Sequence, residues 1–179
     1  MHPIIYDVAV SLDGFICGPD QDVSLFAHSG PVVDDYNRRL ASYGTALMGR
    51  ATYEFGFRYG LEPGQNPYPH MTTYVVSKTL ERSENSAVEI VRRLTDDTLA
   101  RIVRSAAAPI YLCGGGAFAG ALLKRKAIDR VVLKRAPIVL GGGVSLFGSS
   151  GGSRALRRTG SKAYDNGYVL EEYVPADTP

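Results

Sequence analysis

Residues 108–124 read Ala-Pro-Ile-Tyr-Leu-Cys-Gly-Gly-Gly-Ala-Phe-Ala-Gly-Ala-Leu-Leu-Lys, and this run constrains the chain more than any other. Ile110 to Cys113 form a short apolar stretch bounded by Pro109 and glycines, the pattern of a fully buried strand. Gly114, Gly115 and Gly116 let the backbone turn sharply and come close to whatever lies above it. From Ala117 helix formers resume, with Phe118, Leu122 and Leu123 on helical spacing. A strand, three glycines and a helix aim free amides at the loop, where the helix dipole favours an anion such as a phosphate or pyrophosphate. A tight turn packed closely for its own sake fits the same residues. The motif alone leaves both readings open.

The flanking sequence supplies more units of the same kind. Residues 4–12 read as a strand ending at Asp13-Gly14, and residues 15–17 return briefly to apolar character before a polar loop. That loop reaches Pro31 with little periodicity, which is long for a compact domain, and such loops are often functional. Pro31 suits a helix start, and Val33, Tyr36, Leu40 and Tyr43 follow at helical spacing. Residues 45–48 form a second buried strand that breaks at Gly49 into a turn and helix, Arg50-Ala51-Thr52-Tyr53-Glu54. After a Pro/Gly/Asn-rich loop at 60–70 come strands at 72–76 and 88–91. A helix at 95–107 then presents Leu99, Ile102, Val103 and Ala106 on one face.

Beyond Lys124 only strands are expected. Residues 128–140 read as one long strand interrupted by Pro137, which argues for an edge or bulged position. Gly141 to Gly143 and the run Val144 to Phe147 follow. The last two runs flank Asp165-Asn166-Gly167, a strong hairpin signal. Strand–helix alternation closed by a hairpin predicts a mostly parallel α/β sheet between helical layers, with an antiparallel C-terminal edge. The 179 residues predict one domain, 1–179, large enough for a real core.

Composition excludes several function classes. With 45% apolar and 21% charged residues and a net charge of +2, the chain gives no reason to expect nucleic-acid binding. Cys17 and Cys113 are far apart in apolar surroundings and read as two reduced thiols. The first residues carry neither a basic flank nor a long apolar run, and no stretch approaches membrane-spanning length, so a soluble cytoplasmic protein is expected. His2, His28 and His70 share no ligand spacing, so no metal site is expected. Ser145 lacks the G-x-S-x-G elbow of a hydrolase. Arg154, Arg157, Arg158 and Lys162 make a basic stripe best read as the solvated face of an edge strand. Gly114-x-Gly116-x-x-Ala119 half-fits a dinucleotide fingerprint, but it comes late and Asp129 follows too soon for a Rossmann domain.

Five pieces carry a resemblance. They are Ser11-Leu12-Asp13-Gly14, the run from Leu47 to Glu54, Val75-Val76-Ser77-Lys78, the triple glycine at 114–116, and the run from Pro137 to Phe147. In that order and at those distances the chain resembles the dihydrofolate reductase superfamily. The branch it is most similar to is the reductase domain of the riboflavin-biosynthesis deaminase–reductase and its stand-alone relatives. The resemblance implies a three-layer α/β fold and NADPH crossing the C-terminal ends of the parallel strands. It further implies a homodimer and a small heterocyclic substrate of the ribosylaminopyrimidine type. Carried over, Gly114, Gly115, Gly116 and Ala117 would hold the pyrophosphate, and Gly49, Arg50 and Thr52 would sit beside phosphates and ribose. Val76, Ser77 and Lys78 would lie at the adenosine 2′-phosphate, and Ala9 and Ile16 would border the nicotinamide. Asp13 would face the substrate.

Folate-reducing members carry a carboxylate on the first helix, which here lands at Asp34 or Asp35. Asp35 joins Asp13 as a catalytic candidate, although no tryptophan accompanies it and a first-turn acid also suits the helix dipole. The readings kept beside an NADPH-dependent reductase are a folate or pterin reductase and a non-catalytic nucleotide-binding module. The apolar residues Val131, Val132, Leu133, Ile138, Val139 and Leu140 suggest an edge that pairing with a second copy would cover.

Overall fold

The computed structural model of the chain describes residues 1–149 and 152–176. The apolar runs form β1 (Ile4–Val10), β3 (Thr45–Gly49), β4 (Thr72–Val76), β5 (Glu89–Val91), β6 (Ile110–Gly114) and β7 (Arg130–Arg135). These six lie parallel in the order β5-β4-β3-β6-β1-β7. The sheet continues antiparallel through β10 (Val169–Pro175) to β9 (Leu156–Ala163). A separate two-stranded sheet joins β2 (Phe15–Cys17) to β8 (Val144–Ser145). The expected mostly parallel sheet with an antiparallel C-terminal hairpin is what the chain forms. Gly167 adopts φ +83° at the hairpin tip, a conformation glycine takes without a side-chain clash.

Helices cover both faces because alternate residues of the central strands are apolar on both sides. On one face Ile4, Tyr6, Ile110 and Leu112 pack against α3 (Asp96–Ser105) and α4 (Gly116–Lys124) through Ile102, Ala119 and Leu122. The Thr95 hydroxyl caps α3 by accepting from the Thr98 amide. On the other face Ile5, Ala46, Met48, Tyr111 and Val132 pack against α1 (Pro31–Leu40) and α2 (Arg50–Phe55) through Val32 and Tyr53. Among the described residues no helix is long and apolar enough to cross a membrane.

One expectation is overturned. Residues 128–140 are not a single strand at an edge: β7 ends at Arg135 and lies inside the sheet, between β1 and β10. Val131, Val132 and Leu133 are therefore covered within the chain, and they give no reason for a second copy. The Ala136 amide still bonds the Val10 carbonyl, after which the chain leaves the sheet. The outer strand is β9, where Arg157, Arg158 and Lys162 are exposed as expected of a solvated edge.

Asp7, in the middle of β1, is wholly buried, and Lys134 of β7 is only 7% exposed. The parallel register sets Asp7 opposite Val132, so Lys134 sits two residues further along on the same face. Lys134 Nζ donates to Asp7 Oδ1 at 2.8 Å, and Arg39 Nε of α1 and the Tyr43 hydroxyl donate to Oδ2 at 2.7 and 3.1 Å. Burial alone would raise the Asp7 carboxyl, but the charges and hydrogen bonds of Lys134 and Arg39 outweigh it and hold the group below the usual carboxylate range. The stability contributed by this ionisation is complete above the ordinary carboxylate range and is lost as pH falls through the lowered folded value. Asp7→Asn leaves two cations without their counter-ion and is expected to cost about 3–5 kcal/mol. Urea unfolding at neutral pH checks this, and a loss below about 1 kcal/mol, the scale of an exposed pair, contradicts it.

Candidate functional site

Neighbouring strands β3 and β6 send their following helices to opposite faces of the sheet, α2 to one and α4 to the other. An open α/β sheet has its crevice at such a point, beyond the C-terminal strand ends. A cavity of about 880 Å³ lies there, at the upper end of the range for ligand sites. Of the expected residues, Ala9, Ile16, Gly49, Arg50, Thr52, Gly115, Gly116 and Ala117 line it. Three stretches distant in sequence thus meet around one cavity.

The glycines divide the work. Gly115 caps α4 without a side chain of its own, leaving the first amides of that helix free of a side-chain partner. A Cβ on Gly115 would stand in the cavity wall 3.2 Å from Thr52 Oγ1. A Cβ on Gly116 would come within 2.1 Å of the Ser145 carbonyl oxygen. The turn is therefore a tight packing joint at Gly116 and a close-fitting piece of the cavity wall at Gly115. Gly114 does not line the cavity; it ends β6 with φ +117°.

Val76, Ser77 and Lys78 also lie outside the cavity wall, at the end of β4 beside Gly49. Ser77 is buried, and its hydroxyl accepts from the Thr79 and Leu80 amides at 3.3 and 2.9 Å, which closes a turn. Arg50 reaches over to that turn: Nη1 donates to Thr79 Oγ1 at 2.5 Å while Nε donates to Glu54 Oε1 at 2.7 Å. Arg50, Thr79 and Lys78 are exposed together at the rim. Thr79 was not among the expected residues, and nothing but its place after Ser77-Lys78 marked it.

Neither catalytic candidate faces the cavity. Asp13 accepts from the Ser11 hydroxyl at 2.6 Å and from the Gly141 and Leu140 amides at 2.7 and 3.1 Å. The Ser11 bond first, then those amides, hold its carboxyl below the usual range. It anchors the segment after β7. Asp35 is turned toward β9, where it accepts from Tyr164 Oη at 2.6 Å and pairs with Lys162 at 2.5 Å and with Arg38. Its carboxylate is enclosed by partners on the far side of α1.

The groups that do line the deep end were not expected. Asp7 and Lys134 form its floor, with Lys134 Nζ 3.5 Å from the centroid of the Tyr36 ring. The Tyr36 and Tyr111 hydroxyls are 2.7 Å apart, and the Tyr68 hydroxyl is 3.3 Å from Cys113 Sγ. Burial pushes the Tyr111 hydroxyl and the Cys113 thiol up, so both keep their protons at neutral pH. The available signal was a charged residue inside each of two apolar strand runs, Ile-Ile-Tyr-Asp-Val and Val-Val-Leu-Lys.

The model of the family described as the RibD C-terminal domain matches residues 3–170. The uncharacterized protein YwjB of Bacillus subtilis (strain 168) is 28% identical over 170 residues, which cover 94% of this chain and 95% of that protein. A solved structure from Shewanella sp. PV-4, assigned provisionally to riboflavin biosynthesis, matches with a TM-score of 0.80 at 24% identity, covering 98% of this chain and 99% of that one. Dihydrofolate reductase from Enterococcus faecalis, solved with NADP(H) and RAB-propyl, matches with a TM-score of 0.69 at 16% identity, covering 98% and 97%. At these identities the two structures establish the fold, which is that of dihydrofolate reductase. The family match spans nearly the whole chain: this protein belongs to the RibD C-terminal domain family.

Proposed function

We propose that the protein is an NADPH-dependent reductase that transfers hydride to a small heterocyclic or sugar-carbonyl substrate, the ribosylaminopyrimidine type being the family's example. A reductase-type activity is what the family and the fold support. The observation that carries the cofactor is the shared wall formed by the uncapped start of α4 and the start of α2, where Gly115 lines the cavity and a Cβ on it would press on Thr52 Oγ1 at 3.2 Å. In this reading the amides of Gly116 and Ala117 take the pyrophosphate, with Gly114 shaping the turn. Gly49 and Thr52 border the adjoining ribose and phosphate, and Ala9 and Ile16 border the nicotinamide. Arg50, Lys78 and Thr79 meet the 2′-phosphate, while Val76 and Ser77 hold that turn in place. NADPH, when bound, supplies the hydride, and the protein orients it and keeps water from the apolar deep end. With Asp35 enclosed on the far side of α1, protonation of a pterin from the first helix has no part in this reading.

The 2′-phosphate carries roughly two negative charges, and each charge-assisted hydrogen bond to it contributes about 1.5–3 kcal/mol before exposure reduces it. NADPH is therefore expected to bind more tightly than NADH by something on the order of ten- to a thousandfold, with the gap narrowing as salt is added. Arg50→Ala removes most of that preference and leaves NADH affinity nearly unchanged. Calorimetric titration of both cofactors checks this, and equal affinities in the unaltered protein contradict it.

We also propose that the protein acts in the cytoplasm as a single-domain homodimer. With β7 inside the sheet, the support comes from Leu12 and Val139, which are 63% and 64% exposed and sit on segments joined by the bond from the Leu12 amide to the Ile138 carbonyl. Light scattering is expected to give about twice the 19.3 kDa chain mass, and the chain mass itself at micromolar concentration refutes the dimer.

A further inference from the structure

The turn after β4 is straddled by two arginines, because β4 lies between β3 and β5 in the sheet. Arg50, just beyond β3, sends Nη1 to Thr79 Oγ1 at 2.5 Å. Arg92, exposed just beyond β5, donates from Nη1 to the Lys78 carbonyl at 3.1 Å. The parallel register brings these strand ends level, Gly49 beside Val76 and Val76 beside Val91. Two guanidiniums thus reach a turn that itself carries Lys78. Glu81 and Arg82 follow, both exposed, and their charges offset one another.

An acid is set against these cations. Glu54 Oε1 accepts from Arg50 Nε at 2.7 Å. Arg50 lines the cavity and Glu54 does not, so the carboxylate bears on a ligand there through the arginine and through its own charge. Within α2 the pair runs cation first and acid four residues later, the less favourable order for a helix. Its side chains are 47% and 33% exposed, so it also adds little as a surface ion pair. Stability therefore gives only a weak reason for the acid. Its bearing on an anion is more direct. A phosphate with roughly two negative charges, brought to Arg50, meets a guanidinium already shared with a carboxylate and stands beside that like charge. We propose that Glu54 sets the cofactor selectivity by opposing the 2′-phosphate, which keeps the preference for NADPH below what Arg50 and its neighbouring cations would otherwise give. The proposal rests on the reductase reading and deepens it at a residue outside the cavity wall.

Equilibrium binding tests it. NADPH and NADH are titrated calorimetrically into the full chain and into Glu54→Gln, Glu54→Asp and Glu54→Lys, each with unchanged circular dichroism. NADH lacks the 2′-phosphate and so controls for folding and for the rest of the site. Glu54→Gln keeps an acceptor for Arg50 Nε while removing the charge; it is expected to tighten NADPH about three- to tenfold and to leave NADH unchanged. Glu54→Lys is expected to tighten NADPH further, and both gains shrink as salt is added. Glu54→Asp keeps the charge and with it the cofactor ratio of the unaltered protein. Unchanged NADPH affinity in Glu54→Gln overturns the proposal. Weaker NADPH binding overturns it too, and shows that Glu54 positions Arg50 instead of opposing the phosphate. A protein that binds neither cofactor sinks the reductase reading and this proposal with it. Binding with a preference that no Glu54 substitution moves sinks this proposal alone.

Discussion

A single carboxylate, Asp7, joins three parts of the molecule. Lys134 reaches it from β7, Arg39 from α1, and the Tyr43 hydroxyl from the end of the α1 segment. A charge in the middle of a central strand survives only where its partners are also inside. The position of α1 over the sheet and the presence of a lysine in β7 are therefore coupled to one aspartate. The same ion pair is also the floor of the cavity, so the device that orders the fold sets the polarity of the deep end. An apolar replacement of the whole cluster could pack as well, whereas removing one member alone leaves buried charge uncompensated.

The opposite wall is built from backbone. The turn after β6 packs so closely on residues 145–148 that Gly116 has no room for a side chain, and one residue earlier Gly115 lines the cavity, where a Cβ would press on Thr52 Oγ1 at 3.2 Å. That alternation lets the start of α4 be both firmly seated and accessible. Arg50 and the Ser77–Leu80 turn extend the wall to the rim, held in place by the parallel register of β3 and β4. The cavity has a cation-bearing, amide-rich end and an aromatic end floored by the Asp7–Lys134 pair.

Much of this was legible in the residues. The strand–glycine–helix runs at 45–54 and 110–124 are punctuated by local chemistry, and the chain folds there as local chemistry dictates. The hairpin at Asn166-Gly167 was equally plain. Strand order was not, because it depends on which surfaces meet rather than on any one segment. Pro137 suggested an edge, yet the strand stops before it and is enclosed on both sides. The deep end was missed for a related reason. Asp7 and Lys134 are 127 residues apart, and nothing local to either run points to the other. The family resemblance pointed to Asp13, after the first strand, and to Asp35, on the first helix. Their partners, the Leu140 and Gly141 amides for one and Lys162 and Tyr164 for the other, also come from more than a hundred residues away.

The central claim is that a reduced nicotinamide lies in the cavity between the glycine turn and the tyrosine-lined floor. The most direct measurement excites tyrosine and watches for emission from bound NADPH. Tyr36, Tyr53, Tyr68, Tyr111 and Tyr168 all line that cavity, and with no tryptophan in the chain they are the only donors. The account predicts saturable tyrosine-sensitised emission that disappears when NADP⁺ competes. Titration to millimolar NADPH with no sensitised emission would contradict it.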